Sequence, residues 1–158
     1  MFRRCLTILL TFSTLLYPMR TFAADAHPCD LLDAKGAAEI LGSPITSPPS
    51  AGKVPSTSDA SYESMRLDLQ VFKSVAEAKK AVDAEFDPND DKNIRFAREP
   101  GVGDSAFYSQ NIRDNRGIYV FRKANRIVII QAGGSGFKMT PAYQPALRKV
   151  AIRALGKL

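Results

Sequence analysis

The side chains suited to chemistry are few. His27 is the one histidine in the 158 residues, and Cys29 follows two positions later. A Ser-His-Asp or Cys-His arrangement needs an imidazole held within hydrogen-bond reach of its nucleophile. His27 lies close to the expected start of the mature chain, where backbone is seldom held. It therefore reads as a solvated residue, and no catalytic residue is assigned. One Cys and one His fall short of the four ligands of a zinc site. Asp87, Asn89 and Asp91 match the first three ligand positions of a calcium loop. Lys92, however, stands where that loop needs its glycine, and Arg98 where it needs a bidentate glutamate. The run is read as an acidic helix stop. Gly133-Gly134-Ser135-Gly136 could present amides to an anion, but it lacks the Gly-Lys-Ser/Thr ending of phosphate loops and is read as a flexible connection. No metal and no cofactor is expected.

The basic residues carry the stronger signal. Every carboxylate lies at or before Asp114, and the remaining 44 residues hold nine cations and no acid. Arg116, Arg122, Lys123 and Arg126 fall at two expected hairpin ends, and Lys149, Arg153 and Lys157 recur every four residues along an expected helix. Arg122, Lys123, Arg126, Lys149, Arg153 and Lys157 are the candidate ligand- or partner-binding residues. On one face they would attract an anionic lipid headgroup, a polyanion or an acidic partner. The competing reading is a solvated face. Cations near a helix C-terminus offset its dipole, and the acidic front segment neutralises the rest.

The N-terminus carries an address. Arg3 and Arg4 precede the apolar run Cys5 to Tyr17, and Pro18 and Arg20 close it. That run of about 13 residues is short of the roughly 20 that cross a bilayer, and it has the shape of a secretory h-region. Thr21-Phe22-Ala23 places small residues three and one before the Ala23/Ala24 bond, so residues 1–23 are expected to be a cleaved signal peptide. The mature domain would then span 24–158. Neither Cys5 after Arg4 nor Cys29 after Pro28 fits a lipoprotein signal, and the product is expected to be periplasmic or secreted. Cleavage removes Arg3, Arg4 and Arg20 and lowers the formal charge from +6 to +3. That modest charge and the compartment disfavour nucleic acid. Cleavage also removes Cys5, which leaves Cys29 as a buried thiol or an intermolecular bridge joining a dimer.

The elements that must position these groups follow from periodicity and punctuation. Asp33 and Gly42 bracket a short helix with Leu31, Leu32, Ala37, Ile40 and Leu41 inward. The Pro-, Ser- and Gly-rich stretch from Ser43 to Ser58 reads as a loop or loose edge. Met65, Leu67, Leu69 and Val71 alternate with Arg66, Asp68 and Gln70 in a half-buried strand. Ser74 and Glu77 form a capping box opening a helix to about Phe86, with Val75, Ala78, Val82 and Phe86 inward. A short extended piece at Ile94 and Phe96 leads to the turn Glu99 to Asp104, whose Gly101 and Gly103 suit positive φ. Strands from Ala106 to about Ile112, Ile118 to Arg122 and Ile127 to Ala132 make a meander. The last is apolar on both faces and belongs at the centre of the sheet. Thr140 to Leu158 closes the chain as a helix with Leu147, Val150, Ala151, Ala154, Leu155 and Leu158 on one face. The order αβαββββα, or close to it, implies a single α+β domain: an α+β sandwich, an antiparallel sheet packed by helices.

Pro28-Cys29-Asp30-Leu31-Leu32 running to Leu41-Gly42, followed by Pro100-Gly101-Val102-Gly103-Asp104-Ser105-Ala106-Phe107 and a hairpin, resembles a group of small exported bacterial domains of unknown function. The resemblance implies a PsbP-like αβα sandwich. Members usually carry a second cysteine before the aromatic residue that opens the first strand. Here that stretch is Ser58-Asp59-Ala60-Ser61-Tyr62, so the group's disulfide to Cys29 has no partner. The group supplies no catalytic residues. Taken together, the residues point to a non-enzymatic binding or accessory module, contacting an envelope protein or an anionic envelope component, with peripheral membrane contact within reach. The alternative is an inhibitor or immunity-type protein that binds a partner enzyme. An undescribed hydrolase ranks third.

Overall fold

The computed structural model of the protein describes residues 26–42, 50–54, 57–62, 65–86, 93–133 and 140–158, with backbone alone at 41, 50–54 and 57–62. The expected signal region, the expected acidic stop at 87–91 and Gly134 to Gly136 lie outside the described residues.

Asp33 opens a helix because its carboxylate takes the free amide of Gly36 at 2.7 Å, and Gly42 closes it in the left-handed region at φ +70. This is α2 (Ala34–Leu41), preceded by one turn, α1 (Pro28–Leu31). Two strands follow, β1 (Ser50–Val54) at the sheet edge and β2 (Thr57–Tyr62) beside it, and then β3 (Met65–Val71). The capping box forms at α3 (Val75–Glu85). Glu77 N donates to Ser74 Oγ at 3.1 Å, and the Glu77 carboxylate reaches back one residue further than the usual box, to Lys73 N at 3.2 Å. Then follow β4 (Ile94–Arg98), β5 (Ser105–Asn111), β6 (Arg116–Lys123), β7 (Arg126–Gly133) and α4 (Tyr143–Leu155).

All seven strands join one antiparallel sheet in the order β1-β2-β3-β7-β6-β5-β4. Two meanders thus meet where β3 pairs with β7, and α3 carries the chain from β3 to the far edge. β7 holds the central position that its two apolar faces imply. Its Val128 and Ile130 face the helices α1, α2 and α4, while Ile127 and Ile129 face α3. The result is the α+β sandwich expected, with helices on both faces of the sheet.

The first face is the larger core. Tyr119 and Phe121 of β6, Leu67 of β3 and Leu147 of α4 are fully enclosed, each such burial contributing about 1.5–3 kcal/mol. The second face is built on aromatics: Phe86 meets Phe96 and Phe107 edge to face at 5.4 and 5.3 Å, and Phe96 and Phe107 lie tilted at 6.2 Å.

Three details depart from the expectation. Residues 50–54 and 57–58, read as loop or loose edge, form the edge strand β1 and the start of β2, because the ladder of β1 on β2 and of β2 on β3 needs no apolar side chains. Val71 and Val75, both expected inward, are 43% and 50% exposed, and Phe72 packs against the α3-side core near them. Asp68, expected outward, is buried at 6% and paired to Arg66 at 2.7 Å.

Candidate functional site

The six candidate cations fall into two groups. Lys149 and Arg153 share one face of α4, Lys157 follows in the turn just beyond its end, and all three point toward α1 and α2. Glu39 on α2 accepts from both Lys149 and Arg153. Lys157 donates to the Asp30 carbonyl and lies 4.0 Å from the Asp33 carboxylate. The Glu39 carboxyl is held below its ordinary 4.5, first by the Lys149 hydrogen bond and then by that from Arg153. The stripe is a clasp between helices with its ammonium groups partly in water; Lys149 remains 65% exposed.

The second group surrounds the β6–β7 turn. Arg122 Nη1 donates to Asp104 Oδ2 at 3.0 Å and to the Ala124 carbonyl at 2.8 Å. The same carboxylate oxygen accepts from Ala124 N at 2.8 Å, which holds Ala124 at φ +52. Lys123 lies 3.8 Å from Asp104, and Arg126 donates to the Leu158 carbonyl at 3.1 Å. Arg122 is buried, with its Nε unpartnered. It is a structural cation rather than a surface one.

A third network escaped the sequence reading. Glu99, at the start of the Pro-Gly-Val-Gly-Asp turn, is 9% exposed and accepts from Gln144 Nε2 at 2.6 Å, Arg148 Nε at 3.2 Å and Tyr119 Oη at 3.4 Å. Arg148 also reaches the Pro100 carbonyl at 3.2 Å. Burial, and then the Glu99 charge, pushes the Tyr119 phenol well above its ordinary 10.0. The Glu99 carboxylate thus ties the β4–β5 turn to β6 through the fully enclosed Tyr119 and to α4 through Gln144 and Arg148. The turn is anchored at both ends, Glu99 on one helix and Asp104 on the opposite hairpin. Val102, 1% exposed, is its apolar plug. No sequence signal pairs Glu99 with Gln144 and Arg148, which lie 45 and 49 residues away.

His27 caps α1, its Nδ1 accepting from Cys29 N at 3.3 Å, so the imidazole serves a backbone amide rather than the thiol. Cys29 is a free thiol of intermediate exposure, short of the full burial that was one of its two expected fates. Among the described residues no three His, Cys, Asp or Glu side chains are grouped to hold a metal, and no helix is long and apolar enough to cross a membrane.

A fourth group sits at the other end of β6. Arg113 and Arg116 flank the β5–β6 turn, and Arg95 projects from edge strand β4. All three are exposed, and none has an ion-pair partner among the described residues. Of these, the hairpin pattern had singled out Arg116 alone. Compared with known proteins, the chain matches no family model, no curated protein and no solved structure.

Proposed function

We propose that the chain is an exported, non-enzymatic binding or accessory module of the cell envelope, a member of the group of small exported domains that its Cys-Asp-Leu-Leu and Pro-Gly-Val-Gly-Asp strings resemble. In this reading it engages an anionic component through its cations. The observation that supports it is where the carboxylates go. Glu39, Asp83, Glu99 and Asp104 are each drawn into pairs within the fold. Lys123, Lys149 and Lys157 keep 54%, 65% and 44% of their side chains in water, and Arg95, Arg113 and Arg116 have no ion-pair partner among the described residues. The outward field is therefore positive, which favours anions at long range.

Retention of the protein on a soluble or immobilised anionic polymer is expected to fall steeply between low and high salt. Lys123→Gln together with Lys157→Gln should weaken it several-fold without loss of folding. Retention that ignores salt would refute the reading. A mass of the exported product corresponding to a start near Ala24 would support its address.

A protein partner, as for an inhibitor or immunity-type module, has one observation in its favour. An open apolar recess lined by Phe72, Ala81 and Ala84, rimmed by Glu77 and Lys80, lies beside exposed Val71 and Val75. A stoichiometric, salt-insensitive complex with a single envelope protein would select that reading instead.

A further inference from the structure

The turn between β5 and β6 is rigid for its size. Asn111 Oδ1 accepts from the amides of Arg113 at 3.0 Å and Asp114 at 3.1 Å, while its Nδ2 donates to Asp114 Oδ2 at 2.9 Å. Ile112 N donates to the Asn93 carbonyl at 3.0 Å, tying the turn to the strand beside it. Asn115 takes φ +48, and its carbonyl packs so closely on Gly133 that no side chain would fit there. These contacts fix the backbone from which Ile112, Arg113 and Arg116 project, and all three are exposed.

What it presents is Ile112, 45% exposed, next to Arg113, with Arg116 and Arg95 on either side. A lone exposed isoleucine is ordinary on a protein surface. This one differs in its setting: a fixed backbone and, among the described residues, three arginines without ion-pair partners and one carboxylate, Asp114, held by Asn111. Strand alternation puts Arg95 and Arg116 on opposite faces of the sheet, so the cations straddle the isoleucine. An apolar tip between cations is complementary to an anionic lipid interface, where the charges meet headgroups and the aliphatic group enters the acyl boundary.

Resting on the reading of an anion-binding envelope module, we propose that the β5–β6 turn is its membrane contact, docking onto an anionic lipid surface with Ile112 as the inserted residue and Arg95, Arg113 and Arg116 as the headgroup contacts. An acidic polymer or acidic protein would use the cations alone and leave Ile112 in water.

The chain has no tryptophan, so Ile112→Trp introduces a single reporter at the tip. Its emission should shift to the blue with vesicles of phosphatidylcholine and phosphatidylglycerol, and stay unshifted with phosphatidylcholine alone or with a soluble anionic polymer. Ile152→Trp, at a 44% exposed site on α4, is the control and should not move. Because each cation near an anionic surface strengthens binding about fivefold, Arg113→Ala with Arg116→Ala should weaken vesicle binding roughly thirtyfold. The proposal is overturned if the Ile112→Trp emission stays fixed while the protein sediments with vesicles, or if the soluble polymer shifts it equally. In both cases the broader anion-binding reading survives. If neither vesicle nor polymer is bound, both readings fall.

Discussion

Gly103 shows how far a single position can be read from type and context. The Pro-Gly-Val-Gly-Asp run already suggested positive φ, and Gly103 adopts +61. The tertiary reason is stronger: a Cβ at this position would run into the Arg122 carbonyl, across the sheet from the turn. Gly103→Ala should therefore cost about 2–4 kcal/mol, combining φ strain with displaced backbone, as a lowered urea midpoint at unchanged m-value would show. Tyr119 gives a pH signature of the same scale. Its phenol ordinarily ionises near 10.0 and is raised in the folded protein. The unfolded chain therefore releases this proton first. The stabilisation is complete below pH 10, and it is lost as pH rises from there toward the raised folded value. Tyr119→Phe should flatten the alkaline limb of a melting-temperature profile. That the tyrosine would be buried was not legible, since Ile118-Tyr119-Val120-Phe121 is apolar on both alternating faces and only the packing of α4 decides which side chains it encloses.

The helices were the most legible elements, because their caps are local. Asp33, Gly42, Ser74 and Glu77 do what their types and spacing imply. The α4 stripe was legible as a stripe, but its partner was not: Glu39 lies 110 residues from Lys149 along the chain. This pairing makes the α2–α4 contact pH-dependent. The Glu39 carboxyl is depressed in the folded state from an ordinary 4.5, so its contribution is present above that value and fades as pH falls through the depressed one. Glu39→Gln should leave a shallower acid limb in thermal melts between pH 5 and 3. Added salt should narrow the difference from the parent protein, because the pair is exposed. A Gln variant as acid-sensitive as the parent would remove Glu39 from the clasp. Strands β1 and β2, at one end of the sheet, were the least legible elements. Their Pro-, Ser- and Gly-rich surroundings carry no alternating pattern, and edge strands are recruited by ladder hydrogen bonds rather than by side-chain burial.

At the scale of the whole molecule, the sheet order ranks local stability. β6 and β7 are buried on both faces and flanked by strands on both sides, whereas β1 and β4 each pair on one side only. Native-state hydrogen exchange should find the slowest amides in Val120, Phe121, Val128 and Ile130, and faster exchange along β4. Protection in β4 equal to that in β7 would contradict this arrangement. The charge polarity along the chain resolves at this scale too. Glu39 meets Lys149 and Arg153 of α4, Asp33 lies near Lys157 just beyond it, and Glu99 and Asp104 meet Arg148, Arg122 and Lys123. The acidic front and basic back of the chain are thus largely folded onto one another, leaving the positive excess at the β5–β6 turn and on lysine tips.

Periodicity, caps and turn residues determined the elements from Met65 onward, the central place of the last strand and the α+β class, because each depends on neighbours within a few residues. Which carboxylate meets which cation, that Arg122 is buried, that Glu99 anchors α4, and that Ile112 leaves its strand to stand exposed among arginines were decided by the tertiary structure. These depend on distances between segments tens of residues apart, which the sheet order sets and no local pattern encodes.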